Sequence, residues 1–323
     1  MNNKKINFLY CFDENYNLQA NNSISSLLEN ASEQISIYII HKDPSTFEAY
    51  LNKFKQNNKL DNIEIFKFDK SLIESFPRVE NTHISDATYY RLFIDRYLPS
   101  KIEHITYLDA DIICFQCPIE TIRQHIQAME KENLSISSKT ETIFNEELTE
   151  INNRLNLKSK KYFNAGVMII NFTTWLDNQT SKNLLEELIR IKDIIFYWDQ
   201  DVLNSYFDGE YLELSTYLNF NLHLTRQDYF DKTPKEEKNK MIFIHYAGSH
   251  KPWSIRGIYN PKSIYYQKQH MKLHNKYHVV NTWRVDALKR LILGLITFRI
   301  IFVRNPIRFF IDAFASLLKS NKK

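Results

Sequence analysis

The segment HITYLDADIICF, residues 104–115, places Asp109 and Asp111 inside an otherwise apolar run. We interpret the run as a central β-strand, on which residues two apart point to the same face. Both carboxylates would then converge on one point, where their repulsion must be relieved by protonation or by a cation. A divalent metal that prefers hard oxygen ligands, Mg²⁺ or Mn²⁺, would relieve it. Two solvated aspartates after a strand are the alternative, because so short a motif is common.

Apolar runs typical of strands alternate with helix-like segments on both sides of this segment. The strand-like runs are INFLYCF (6–12), ISIYII (35–40), IEIFKF (63–68), VMIINF (167–172) and MIFIHYAG (241–248), and the helix-like segments are 23–31, 45–57, 85–99 and 181–195. This alternation predicts the α/β class, with a mixed, mostly parallel sheet flanked by helices. Such a sheet binds its ligand beyond the carboxyl ends of its strands.

Composition predicts a globular protein with a full hydrophobic core, since 43% of the 323 residues are hydrophobic and 25% are charged. Three cysteines, Cys11, Cys114 and Cys117, are too few for a disulfide framework. The first apolar run is broken at Asp13 and is too short for a secretory signal, so we expect a reducing, cytoplasmic setting. Cys114 and Cys117 have CxxC spacing but no second pair, which favours two buried, inert cysteines.

The C-terminal segment differs in character, with nine basic and two acidic residues in 284–323. Its apolar run LILGLITFRIIFV (291–303) is shorter than the roughly 20 residues that span a bilayer. We expect one or two helices in the interface of an anionic membrane, with a helix packed on the body as the alternative. Nucleic acid fits less well, because phosphate binding does not need so much apolar surface. The chain is therefore divided into a main domain, 1–275, and a basic, membrane-associating tail, 276–323.

A second polar cluster, HYAGSHKPW (245–253), follows the apolar run MIFI. His245 could complete a metal site with the two aspartates, and an imidazole ligand favours Mn²⁺ over Mg²⁺. Gly248 would allow close approach of the backbone to a ligand, and Lys251 could pair with a phosphate. A structural histidine is the alternative for His245.

Two further clusters interrupt apolar sequence. Asn164 and Gly166 lie in KYFNAGVMIINF (161–172), as expected of a ligand-contacting turn before a strand. YWDQDVLN (197–204) places Asp199, Gln200 and Asp201 at a predicted helix start. A helix cap would explain one of these acids but not the whole DQD segment.

Together these clusters resemble glycosyltransferase family 8, the retaining hexosyltransferases that include lipopolysaccharide galactosyl- and glucosyltransferases. The matching segments, in the order of the family, are FLYCFDENY (8–16), HISDATYYRL (83–92), YLDADI (107–112), YFNAGVMIIN (162–171), DQDVLN (199–204) and HYAGSHKPW (245–253). The resemblance covers residues 6–255 and implies a GT-A fold, a catalytic domain at 1–275, a nucleoside-diphosphate sugar donor and dependence on Mn²⁺, with Mg²⁺ as the alternative.

The resemblance also assigns roles to residues of this sequence. Asp109, Asp111 and His245 match the metal ligands, and Ala110 lies between two of them in the donor site. Asp13 and Asn15 match residues that contact the uracil end of the donor, with Cys11 as a backbone contact. Arg91, Asn164, Asp199 and Gln200 match residues around the donor sugar and its leaving diphosphate, Gly248 and Lys251 match the diphosphate clamp, and His83 falls where the acceptor pocket begins. Several family members place an acid near the acceptor, whereas this chain has Ser137, Ser138 and Lys139 in that region.

The resemblance therefore implies a metal-dependent retaining enzyme, and the basic, aromatic tail predicts that it lies at the inner face of the cytoplasmic membrane. It would move glucose or galactose from UDP-glucose or UDP-galactose to a lipid-linked oligosaccharide, the core of lipopolysaccharide or lipooligosaccharide. A metal and Lys251 would stabilise the leaving diphosphate, and the acceptor hydroxyl would attack from the same face without an enzyme nucleophile. A glycogenin-like self-glucosylating primer and a non-catalytic sugar-nucleotide-binding protein of the same fold are the alternatives.

Overall fold

The computed structural model describes residues 5–73, 86–141, 145–224, 231–248, 250–280 and 284–319. The chain forms two compact units, the first made of Met1–Ala110 and Cys117–Asn219 and the second of Asp111–Gln116 and Phe220–Lys323. The predicted boundary between 275 and 276 remains a prediction.

The strands in the described residues are β1 (Asn7–Phe12), β2 (Ile35–His41), β3 (Leu60–Lys67), β4 (His104–Leu108), β5 (Ile112–Cys114), β6 (Ile136–Thr140), β7 (Phe163–Asn171), β8 (Leu212–Glu213), β9 (Phe220–Asn221) and β10 (Phe243–His245). The α-helices are α1 (Asn17–Asn30), α2 (Glu48–Phe54), α3 (Ile119–Glu132), α4 (Asn145–Leu155), α5 (Phe172–Asp177), α6 (Thr180–Ile191), α7 (Trp198–Phe207), α8 (Lys235–Lys238), α9 (Ile255–Ile258), α10 (Ile264–His274), α11 (Arg284–Ile296) and α12 (Pro306–Lys319). The predicted helix at 85–99 is a 3₁₀ segment, Asp86–Arg96, with a kink at Phe93.

The first unit is built on a seven-stranded sheet with the order β3-β2-β1-β4-β7-β6-β8. β1 pairs in parallel with β2 and β4, and β2 with β3, whereas β7 is antiparallel to both of its neighbours. Every residue of β2 is buried, as expected of a central parallel strand that is covered on both faces. The predicted mixed, mostly parallel α/β sheet is confirmed.

The prediction of one strand over residues 104–115 is wrong. β4 ends at Leu108, and β5 begins at Ile112 in the second unit, where the sheet order is β5-β10-β9. Asp109 and Asp111 therefore lie in the turn between two strands, and the argument that they share one face of a strand does not apply. The apolar run continues through this turn because both strands are buried.

The second unit has its own hydrophobic core. Ile255 and Ile258 of α9 pack there with Leu291 of α11 and with Phe309 and Ala313 of α12. The helices predicted in the basic tail are thus present, and one face of each is buried. Among the described residues, no helix combines the length and the apolarity needed to cross a membrane.

Candidate active site

Arg91 joins four of the predicted motifs in the first unit. Its side chain is buried, and its Nη1 donates to the carbonyl oxygen of Ala165 at 2.6 Å. Nη2 donates to Oδ1 of Asp109 at 2.8 Å, and Nε lies 2.9 Å from Oδ2 of Asp199. One guanidinium therefore fixes the positions of the acid after β4, the first residues of β7 and the acid at the start of α7.

The Arg91–Asp199 pair is almost inaccessible to water. Burial raises the pKa of Asp199 to about 6, although Arg91 and the hydroxyl of Thr88, which donates to Oδ1, both favour the charged form. Burial alone would lower the pKa of Arg91, but Asp199, Tyr107 and Asp109 together raise it. The arginine therefore stays charged and holds two carboxylates.

Tyr107 supports this arrangement from within β4. The Cζ atom of Arg91 lies 4.0 Å from the centre of its ring, which is a cation–π contact. Its hydroxyl donates to Oδ1 of Asp109 at 2.6 Å, and burial raises the pKa of the hydroxyl. The sequence analysis did not assign a role to Thr88 or Tyr107, although both lie in the quoted motifs.

The prediction that Asn164 and Gly166 lie in a turn before a strand is wrong, because β7 already begins at Phe163 and its irregularity is a register shift opposite Ser138 and Lys139. Asn164 is nevertheless rich in polar contacts. Its Oδ1 accepts hydrogen bonds from the amide of Gly166 at 3.0 Å and from Nδ2 of Asn219 at 2.9 Å. Its Nδ2 donates to Oε1 of Glu141 at 2.6 Å. The hydroxyl of Ser138 donates to the carbonyl of Asn164 at 2.7 Å. Asn164 is thus the centre of a polar network, as its position in an apolar run indicated.

Glu141 is an acid that the sequence analysis missed. Ser137, Ser138 and Lys139 were the residues predicted in this region, whereas the carboxylate of Glu141, just after β6, lies against Asn164. Ser137 and Ser138 are fully buried, so they face the interior. Glu141 lies two residues beyond Lys139, and no strand was predicted over 136–140, so no signal in the sequence singled out this acid.

In the second unit, Asp111 lies beside a histidine and a lysine. Nε2 of His245 is 3.5 Å from Oδ1 of Asp111, and Nζ of Lys251 donates to Oδ2 at 2.6 Å. Nζ of Lys251 also donates to the carbonyl of Tyr246 at 2.8 Å. Asp111 and His245 are both buried, and Oδ1 of Asp111 accepts no hydrogen bond from the described residues. A buried carboxylate oxygen of this kind beside an imidazole fits a divalent cation.

Asp109, which is half-buried, is separated from Asp111 in the chain by Ala110 alone. Gly248 has a φ of 81°, in the left-handed region that favours glycine. The backbone conformation at this position therefore favours glycine, and the predicted role of Gly248 toward a ligand remains a prediction.

Cys11, Asp13 and Asn15 lie at the carboxyl end of β1. Oδ1 of Asp13 accepts from the amide of Asn15 at 3.0 Å, so Asp13 caps the 3₁₀ turn Glu14–Tyr16. Burial raises the pKa of the Cys11 thiol well above its ordinary value, which makes the thiol unreactive. The roles of these three residues toward uracil remain predictions, and His83 lies outside the described residues.

Cys114 and Cys117 do not form a disulfide. Cys114 is buried, but Cys117 is exposed, so the expectation that both are buried is wrong for Cys117. The thiol of Cys117 contacts the hydroxyl of Ser32 at 3.3 Å.

The mixed seven-stranded sheet, with acids just after β4 and at the start of α7, fits the GT-A fold of glycosyltransferases. The fold is similar to that of galactosyltransferase LgtC in complex with donor and acceptor sugar analogs, with a TM-score of 0.68 and 19% identity over 87% of this chain and 100% of that chain. The sequence pattern of glycosyl transferase family 8 matches residues 7–257. The chain belongs to glycosyltransferase family 8, as its six motifs predicted.

Two curated proteins are similar to this chain over most of its length. A lipopolysaccharide 1,3-galactosyltransferase of Salmonella typhimurium is 27% identical over 277 residues, which cover 81% of this chain and 77% of that protein. A lipopolysaccharide 1,2-glucosyltransferase of Escherichia coli is 26% identical over 281 residues, with 81% and 76% covered.

Proposed function

We propose that the chain is a metal-dependent retaining hexosyltransferase that moves glucose or galactose from a UDP-sugar to the core of lipopolysaccharide or lipooligosaccharide. Membership of family 8 supports the reaction class. Both curated relatives named above act on lipopolysaccharide, which supports the acceptor class. The observation that carries the proposal is the contact of buried Asp111 with His245 and Lys251.

Asp109, Asp111 and His245 would hold the metal, with Mn²⁺ preferred to Mg²⁺ because one ligand is a nitrogen. The bound ion would supply a positive charge that neutralises the donor diphosphate. In the structure, the ammonium of Lys251 lies 2.6 Å from Oδ2 of Asp111. We propose that Lys251 turns from Asp111 to the diphosphate when metal and donor bind, while Gly248 allows the backbone of this turn to approach the phosphates.

Lys251 would stabilise the charge that develops on the leaving diphosphate, so that no protein acid has to protonate it. Asp199 is poorly placed to act as a nucleophile, because Thr88 engages one of its oxygens and Arg91 the other. We therefore propose that the acceptor hydroxyl attacks from the face that the diphosphate leaves, with Arg91, Asn164, Asp199 and Gln200 around the sugar. A sugar adduct on Asp199 detected during turnover of the intact enzyme would contradict this route.

Association with an anionic membrane surface is part of the proposal, with the enzyme at the inner face of the cytoplasmic membrane. The tail helices also expose large apolar side chains that are not part of the buried core. They include Leu288 and Ile292 of α11 and Ile307, Phe310 and Phe314 of α12. The basic residues Lys289, Arg304 and Arg308 of the same segment are also exposed. Exposed apolar and basic side chains on one amphipathic segment suit the lipid interface.

A donor panel tests the proposed function. Purified protein is incubated with Mn²⁺ and each of UDP-glucose, UDP-galactose, UDP-N-acetylglucosamine and GDP-mannose, and release of the nucleotide is measured without acceptor and with truncated lipopolysaccharide. We expect hydrolysis of one UDP-hexose, faster release with lipopolysaccharide, and retention of the anomeric configuration in the product. UDP binding without release of UDP from any donor would favour a non-catalytic binding protein, and hexose attached to the protein itself would favour a self-glucosylating primer.

A further inference from the structure

Asp201, the second acid of the DQD segment, is fully buried and surrounded by hydrogen-bond donors. Its Oδ2 accepts from the amides of Phe196 at 2.7 Å and Tyr197 at 2.8 Å, and from Nη1 of Arg154 at 2.7 Å. Its Oδ1 accepts from the hydroxyl of Tyr162 at 2.8 Å and from Nη2 of Arg154 at 3.2 Å. Charge-assisted bonds of this kind are strong, and with 0% of its surface exposed the carboxylate cannot reach a substrate. Asp201 is therefore an anchor rather than a reacting group.

The hydrogen bonds from the amides of Phe196 and Tyr197 to Asp201 stabilise an unfavourable backbone conformation at the start of α7. Trp198 has a φ of 47°, which is strained for a bulky L-residue. Asp201 reaches back to the amides of Phe196 and Tyr197, just before Trp198, much as the acid of a capping box reaches back to the start of its helix. The residue after Trp198 is Asp199, so the turn that Asp201 holds determines where Asp199 points.

The same face of α7 is also joined to the start of β7. Oε1 of Gln200 accepts from the amide of Ala165 at 3.0 Å. Oδ1 of Asn204 accepts from the amide of Phe163 at 2.6 Å, and Nδ2 of Asn204 donates to the carbonyl of Phe163 at 2.9 Å. These side chains bond to the backbone of β7 as a neighbouring strand would. They hold the DQD segment against the part of β7 that contains Asn164.

We propose that Asp201, Arg154 and Asn204 are positioning residues that set the placement of Asp199 and Gln200, an inference that rests on the proposed function. Arg154, which lies on α4 and outside every predicted motif, supplies the counter-charge that Asp201 needs in the interior. The side chains of the DQDVLN segment thus make two kinds of contact. Asp199 faces Arg91, while Gln200, Asp201 and Asn204 fix the helix to the strand.

The test compares Asp201→Asn with the milder Tyr162→Phe, which removes only the bond from the phenol. A displacement of about 1 Å at a reacting centre costs about 100-fold in rate. We expect Asp201→Asn to lower kcat for UDP-hexose hydrolysis by about 10- to 100-fold and Tyr162→Phe by about threefold to tenfold. KM for the donor should change by less than about threefold, because neither side chain contacts the donor. Amide hydrogen exchange over residues 162–166 should become faster in both variants.

Glu187→Gln is the matched control. The carboxylate of Glu187 accepts from Nε of Arg190 at 2.7 Å and from the hydroxyl of Ser205, which lies on α7 but does not bond to β7. This variant should lose stability without a change in kcat or in exchange over 162–166. If Asp201→Asn behaves like Glu187→Gln in both readouts, the role of Asp201 is structural only and the proposal is overturned.

The proposal stays testable if Asp201→Asn does not fold or if the wild-type protein is inactive. If Asp201→Asn does not fold, the kcat of Tyr162→Phe and its amide hydrogen exchange over residues 162–166 decide. A Tyr162→Phe protein that matches wild type in both measurements overturns the proposal. If the wild-type protein hydrolyses no UDP-hexose, the proposed function fails, and hydrogen exchange over 162–166 then decides whether Asp201 holds α7 to β7.

Discussion

At the scale of single residues, Lys251 has two alternative partners. Its Nζ lies 2.6 Å from Oδ2 of Asp111, and we propose that it also binds the donor diphosphate. Lys251→Gln removes a charge that stabilises the leaving group, so kcat for UDP-hexose hydrolysis should fall about 100-fold. The same change removes a cation that competes for Asp111, so Mn²⁺ should bind equally tightly or more tightly. Steady-state kinetics and titration calorimetry with Mn²⁺ measure the two effects.

Lys238→Gln is the control for this prediction, because Nζ of Lys238 lies 2.8 Å from Asp231 in the same unit but outside the proposed site. It should leave kcat unchanged. A Lys251→Gln enzyme with the kcat of wild type would remove Lys251 from the stabilisation of the leaving group.

Residues of the site could be predicted from the sequence where a polar side chain interrupts an apolar run. Asp111, Asn164 and His245 were singled out in this way, and their roles toward metal and donor remain predictions. Thr88 and Glu141 were missed because their roles depend on partners far away in the chain, Asp199 and Asn164 respectively. Such pairings follow from the topology of the sheet, which local sequence does not contain.

At the scale of elements, the interrupted strand at 104–115 shows what the apolar pattern leaves undetermined. β4 pairs with β1 and β7, and β5 pairs with β10, so each half is buried by different partners. Burial keeps the sequence apolar on both sides of the turn. The apolar pattern therefore indicated buried strand in this segment but could not show where one strand ends and the next begins.

α10 and the segment after it contain buried histidines that should make stability depend on pH. Burial, together with neighbouring positive groups such as His274 and Lys276, lowers the pKa of His270 to about 2 and of His278 to about 3. In the unfolded chain both take up protons below about pH 6.5, while in the folded protein they stay neutral. The free energy of unfolding should therefore fall as the pH drops below about 6.5, by up to about 1.4 kcal/mol per pH unit for each histidine.

Urea unfolding at several pH values between 7.5 and about 5 measures this dependence. The doubly substituted variant His270→Gln/His278→Gln should show a flatter profile than wild type. Equal slopes in the two proteins would mean that these histidines do not set the acid limit of stability.

At the scale of the whole molecule, the exposed apolar face of the tail should decide binding to lipid. The rings of Phe310 and Phe314 lie side by side with centroids 6.3 Å apart, and their side chains are 37% and 48% exposed. Burying an exposed phenylalanine contributes about 1.5–3 kcal/mol. The variant Phe310→Ser/Phe314→Ser should therefore bind anionic vesicles at least about tenfold more weakly.

Vesicle sedimentation measures this binding, with Ile189→Ser as the control, because Ile189 is 64% exposed on α6 and lies outside the tail. The control should bind as wild type does, and UDP-hexose hydrolysis without acceptor should be unchanged in both variants. Vesicle binding that survives the loss of both phenylalanines would contradict a lipid-binding role for this face.

The general architecture could be predicted from the alternation of strand-like and helix-like segments, because a parallel sheet needs a helix after most strands. The division into two compact units could not be predicted from the sequence. The short segment Asp111–Gln116 belongs to the second unit, although the residues on both sides of it belong to the first. A segment of six residues carries too little pattern to show which unit it joins.

The central claim is that Asp111 belongs to a metal site needed for sugar transfer, and titration of Mn²⁺ into metal-free protein tests it most directly. UDP-hexose hydrolysis by wild type should rise from near zero to saturation, whereas Asp111→Asn should stay at least about 100-fold lower at every concentration. Asp231→Asn, which changes an acid of the same unit outside the site, should follow wild type. Equal, Mn²⁺-dependent turnover by folded Asp111→Asn and wild type would contradict the account.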